Sequence, residues 1–183
     1  MKALLVKYKL VIKFMFTFLL VYAILSFSYK LYLEYGASEI YYPDYITNLV
    51  AKQSNGIINM LGYKAEIFNH PNEASLKVFI NNVYIARVVE GCNAISVIIL
   101  FVSFVIAFAS KFKITFLYIL VGSVMIYLVN LFRIAIISIG FYHYPEYNNV
   151  LHNIIFPAII YGLVVLLWLF WINKFSKNSK SNA

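Results

Sequence analysis

Four stretches of the chain are apolar almost without interruption, and the polar residues gather between them. The runs cover about Leu10 to Tyr29, Cys92 to Ser110, Ile114 to Phe132 and His152 to Ile172. Each approaches the 20 or so apolar residues that a helix needs to cross a bilayer, where lipid offers the backbone no partner outside its own helix. After the third run the segment RIAIISIGFY stays apolar beyond Arg133, so that outer end is the least defined boundary.

Between the first two runs the pattern changes. PDYITNLVAKQSNGIINMLG sets Ile46, Leu49, Val50, Ile57, Met60 and Leu61 at near-helical spacing, with Pro43 suited to a start and Gly62 to a stop. An amphipathic helix lying against the membrane or the bundle is predicted. YKAEIF, LKVFIN and VYIARVV then alternate apolar and polar positions. The first two are separated by NHPNEAS, and the last two meet at Asn81 and Asn82, which tolerate left-handed backbone and predict a hairpin. The predicted fold is therefore an all-α polytopic membrane protein of about four transmembrane helices, with a small extracytoplasmic α+β segment between the first two. It divides into an N-terminal anchor at 1–30, the extracytoplasmic segment at 31–91, a transmembrane core at 92–173 and a basic tail at 174–183.

Composition agrees: 63% of residues are hydrophobic and 12% charged, against roughly half and a quarter in soluble domains. A net charge of +8 in a soluble chain would suggest nucleic acid. Its distribution gives it another meaning here. With an even number of crossings, both termini share a side with the SKFK turn at 110–113. That side carries Lys2, Lys7, Lys9, Lys13, Lys111, Lys113, Lys174, Lys177 and Lys180, while all 7 acidic residues fall on the other. The positive-inside rule makes the basic side cytoplasmic, so the charge reports topology and no nucleic-acid partner is expected. KALLVKYK resembles the basic start of a signal peptide, but the run is long, Lys13 interrupts it, and LSFSYK is a poor cleavage site. A retained anchor is the preferred reading.

This topology aligns reactive groups. Cys92, the single cysteine and hence without a disulfide partner in its own chain, sits at the outer end of the second run. Arg133 lies roughly 30 Å above Ile114 at 1.5 Å per helical residue, and His152 opens the fourth run. All three reach one membrane depth. Each also has a plain structural role: a small buried hydrophobe for Cys92, an interfacial anchor for Arg133, a helix cap for His152. His143, in the same outer loop, competes with His152. Together a thiol, an imidazole and a guanidinium make a nucleophile, a proton carrier and an oxyanion partner. Asn130, three residues before Arg133, lies on nearly the same face and is placed to orient it. Glu90 and Asn93 flank the thiol, and Glu90 would disfavour a thiolate unless Arg133 or Arg87 pairs with it. One Cys and three His without ligand spacing predict no metal, and the absence of a Gly-rich phosphate loop predicts no cofactor.

At these residues the chain resembles the exosortase and archaeosortase superfamily of membrane-embedded cysteine transpeptidases. EGCNAI with Cys92 is similar to the family's E/A-G/A-C-S-G motif, NLFRI with Asn130 and Arg133 to its N-x-x-R motif, and LHNIIFPAIIYG with His152 to its isolated histidine. IINMLGYKAEIF also resembles the helix-Gly-strand segment upstream of the cysteine. Coverage runs from about residue 43 to 172, and the likeness is greatest to the compact XrtF-type members of Bacteroidetes. Asn93 and Ala94 stand where the family has Ser-Gly. The resemblance implies a bacterial inner-membrane enzyme, its catalytic core at 92–173 and its active site extracytoplasmic. Its partners would be secreted proteins ending in a short motif, a transmembrane helix and a basic end, transferred to an acceptor nucleophile that the sequence leaves unidentified. Cys92 would attack, Arg133 would hold the oxyanion and His152 would move the proton. The same residues also fit a non-enzymatic membrane assembly partner, or an acyltransferase with lipid on Cys92. The outward location opposes the acyltransferase.

Overall fold

The computed structural model describes residues 8–36, 41–109 and 111–176, and of residues 148, 152, 156, 175 and 176 the backbone alone. Five principal helices and one small sheet follow in chain order. Helix α1 (Lys9–Tyr35) runs six residues beyond the predicted end at Tyr29, into the segment expected to be extracytoplasmic. It packs on α3 (Ile95–Ala107), with Phe14 against Phe104 and Phe108. Helix α4 (Phe112–His143) spans 32 residues, about 48 Å at the helical rise, and α5 (Phe156–Trp171) follows a π-helical turn at Leu151–Ile155.

Three helical stretches, Lys9–Tyr35, Phe112–His143 and Asn153–Lys174, are long and apolar enough to cross a membrane. The second predicted crossing is shorter than expected. Its first residues form a 3-10 turn at Glu90–Cys92, and Ala94 is left-handed at φ 66°, which leaves α3 only 13 residues. Neither conformation continues an α-helix, so about 20 Å of α-helix remains. Phe101 of α3 fills the space over Gly122 of α4, where an added Cβ would lie 2.3 Å from its ring. With Val105, Ile126, Ile160, Val164 and Trp171 it forms the core between the apolar helices.

The predicted end of the third run at Phe132 is also moved, to His143. The reason is a second core. Leu131, Ile134 and Ala135 on the C-terminal half of α4 are covered by Val50 and Ile58 of α2 (Tyr45–Met60) and by Leu76, Val78, Ile80 and Val88 of the sheet. Asp44 caps α2, its Oδ1 accepting from the amides of Ile46 and Thr47 at 3.0 Å each, so the helix starts after Asp44 rather than at Pro43. The buried face of α2 comprises Thr47, Asn48, Val50, Ala51, Ser54 and Ile58, whereas Met60 and Leu61 are 87% and 57% exposed. Small and polar residues fill that stripe because α2 packs directly on α4.

Strands β1 (Ala65–Asn69), β2 (Ser75–Ile80) and β3 (Val83–Val89) form an antiparallel sheet in that order. Asn81 and Asn82, at φ 51° and 65°, make the predicted two-residue turn. Val78 pairs with Ala86 and Phe79 with Tyr84, so Ile85 is the extra residue of a bulge. The sheet's inner face joins the second core, and β3 leads into the cysteine turn.

Candidate active site

The segment Glu90 to Ile95 is built to hold one backbone carbonyl and one buried amide in place. Asn93 is 1% exposed. Its Nδ2 donates to the Tyr29 hydroxyl at 2.7 Å and to Thr47 Oγ1 at 3.0 Å, and its Oδ1 accepts from the Ile95 amide at 3.1 Å. It thus ties α1, α2 and the start of α3 together, and its donors are spent on that role. Ala94 takes the left-handed conformation that glycine adopts most easily, so a glycine would sit here without strain.

Cys92 is half-buried in the turn, and Asn130 meets it from α4. The Asn130 side chain, 1% exposed, donates through Nδ2 to the Cys92 carbonyl at 2.7 Å. Its Oδ1 accepts from Arg133 Nη1 at 3.3 Å. One amide therefore links the cysteine turn to the guanidinium across the α3–α4 junction. Arg133 Nε is buried, with no hydrogen-bond partner among the described residues. A cleft of about 50 Å³, bordered by Cys92, Arg133, Ile137 and the β3 residues Ala86, Arg87 and Val88, lies beside it.

Glu90 receives no arginine among the described residues: Arg87 pairs instead with Glu73. Burial raises the Glu90 pKa above the usual carboxylate range, and the charge of Asp44 raises it further.

His152 lies in the π-helical turn, and its side chain is outside the described residues. Its neighbour Leu151 approaches Gly140 of α4, a Cβ there lying 3.5 Å from Leu151 Cδ1. Gly140 is seven residues beyond Arg133 on the same face, about 10 Å further out. His143 is exposed at the end of α4, with Nε2 2.8 Å from the Tyr63 hydroxyl, so its ring is tied to the α2–β1 connection. No group of three or more His, Cys, Asp or Glu among the described residues is placed to hold a metal ion.

No protein-family model, curated protein or solved structure matches the chain.

The sequence pattern did not reach the polar cluster behind the site. Asp44 is fully buried, accepts from the Tyr32 hydroxyl at 3.2 Å, and among the described residues leaves Oδ2 without a partner. Its signal was an Asp directly before a helix, with Tyr29 and Tyr32 one turn apart on the preceding one. Thr47 gave no signal, because its hydroxyl matters only once α1 and α3 flank it.

Proposed function

We propose that the chain is a membrane-embedded cysteine transpeptidase or peptidase of the exosortase type, cutting C-terminal sorting signals of secreted proteins through a thioester on Cys92. The observation that carries this reading is Asn130, whose amide bonds both the Cys92 carbonyl and the Arg133 guanidinium, beside a cleft bordered by both residues. Four crossings of a bacterial inner membrane are part of the proposal, with α3 as the short fourth. The lysines at both ends and in the Lys111–Lys113 turn make one side cytoplasmic, and the cysteine turn faces the other.

In the proposed reaction Cys92 Sγ attacks the carbonyl carbon of a peptide bond just outside the substrate's helix. The thiol proton passes to the imidazole of His152. Arg133 stabilises the negative oxygen of the tetrahedral intermediate, a task for which a buried Nε without a partner among the described residues is suited. As the C–N bond breaks, the imidazole returns the proton to the leaving amine, and the acyl group remains on sulfur. An incoming acceptor then loses its proton to His152, takes the acyl group, and the thiol is regenerated. The substrate helix confines the scissile bond to one depth, so proximity replaces soluble affinity.

The test is C-terminal processing of secreted proteins that end in an apolar helix and a basic tail, in cells carrying wild-type protein, Cys92→Ala, Arg133→Ala or His152→Ala at matched membrane levels. Loss of processing in all three supports the reading. Normal processing by Cys92→Ala overturns it. A second reading, a non-enzymatic assembly partner, is favoured by Cys92 packing against the core shared by α4 and the sheet. That reading predicts the normal outcome for Cys92→Ala.

A further inference from the structure

Ala86, Arg87 and Val88 of β3 border the cleft beside Cys92 on one side, and Arg133, Ile134, Ile137, Ser138 and Phe141 of α4 border it on the other. β3 is an edge of the sheet: the sheet ends with it, and among the described residues no strand pairs with its far side. Unpaired strand edges are templates for an added strand. The Arg87 side chain is already paired with Glu73, which leaves recognition here to main-chain groups.

The direction of β3 adds a second observation. Its turn is held beside the outer end of α4 by Asn81 Nδ2 donating to the Tyr142 hydroxyl at 3.1 Å, and the cysteine turn that follows it is held by Asn130, twelve residues lower on the same helix. β3 therefore runs toward the membrane and delivers the chain to Cys92. A protein whose soluble part precedes its apolar helix also runs toward the membrane at that point.

Resting on the proposed function, we infer that β3 is the docking strand for substrate: the extended segment just before the scissile bond adds to its open edge as a parallel strand, guided into the Cys92–Arg133 cleft. Main-chain pairing supplies the grip, so many side-chain sequences are accepted. The segment lies along β3 where Ala86, Arg87 and Val88 border the cleft, and the scissile carbonyl enters it between Cys92 and Arg133.

The chain's only cysteine is Cys92, so full-length Cys92→Ala is a cysteine-free background for disulfide mapping in membranes. Single cysteines at Ala86, Arg87 and Val89 are oxidised against a secreted reporter carrying an extended segment, an apolar helix of about 20 residues and a lysine-rich end. The reporter's own cysteine is moved along the extended segment. Arg87→Cys and Val89→Cys are expected to link to one parity of reporter positions and Ala86→Cys to the other. The linked position should shift two residues toward the reporter's helix between 87 and 89. A shift in the opposite direction, loss of parity, or links formed only from Ser138→Cys or Phe141→Cys on α4 overturns the strand addition. Processing of the same reporter by wild-type protein reads the catalytic proposal separately. Processing without the ladder of links sinks only the docking strand, and the ladder without processing sinks only the transpeptidase.

Discussion

The side-chain amide of Asn130 donates to the backbone carbonyl of Cys92 at 2.7 Å, joining residues 38 positions apart. Its position rather than its chemistry makes it important: it does not react, but it sets the height of the cysteine turn against the α4 face that carries Arg133. Asn130→Ala leaves a buried carbonyl without its donor, at a cost of about 1–3 kcal/mol. Carried into the transition state of the proposed reaction, that cost lowers processing about 5- to 150-fold, since each 1.4 kcal/mol is a factor of ten. Asn130→Asp separates the two bonds, retaining an acceptor for Arg133 but losing the donor to Cys92. Unfolding in nanodiscs together with processing rates checks both. Wild-type behaviour of Asn130→Ala would remove the bridge from the account.

Ala94 tests the left-handed turn. A β-branched side chain at φ 66° is heavily disfavoured, so Ala94→Val should lower stability by about 2 kcal/mol or more and reduce the amount of protein in the membrane. Ala94→Gly relieves the strain but loses a methyl from the core, and should stay within about 1 kcal/mol of wild type. Thermal unfolding of the two variants side by side is the check, and equal behaviour would mean that the turn is not left-handed in the membrane.

Gly122 tests the approach of α3 to α4. Gly122→Ala drives a methyl into the fully buried Phe101 ring and should cost about 1–3 kcal/mol despite alanine's better helix propensity. Phe101→Leu in the same chain should recover part of the loss. A double-mutant cycle measures that coupling, and additive losses would place the two helices further apart.

Glu90 gives a pH dependence with a defined sign. Its pKa is raised by burial and then by Asp44, so the folded state holds the proton more tightly than the unfolded chain does. Its stabilising contribution is present at low pH and is lost as pH rises from the ordinary carboxylate range through the raised value. Glu90→Gln should therefore unfold at higher temperature than wild type above the ordinary carboxylate range and show a flatter profile as pH rises out of that range. Unfolding scans across that range decide it, and a steeper profile in the variant would reverse the assignment.

Composition and hydrophobic period are properties of the sequence by itself, and they determined the elements of this protein. Long apolar runs give helices fit for a membrane, alternation gave three strands close to their observed bounds, and paired asparagines gave the hairpin turn. Asn130 and Arg133 could be placed on one face by their spacing, because three residues make most of a helical turn. Tertiary structure decided everything that depends on which surfaces meet. It extended α4 to His143, because the sheet and α2 need its C-terminal half as a core, and it shortened α3, because the cysteine turn is anchored by Asn93 and Asn130 instead of continuing the helix. It exposed Met60 and Leu61 while burying Thr47 and Ser54, since close packing between helices selects small residues that a hydrophobic period does not detect. The bond from Asn130 to the Cys92 carbonyl belongs to the same class: a backbone acceptor carries no sequence signature, so the link between the two motifs exists only once the helices are packed.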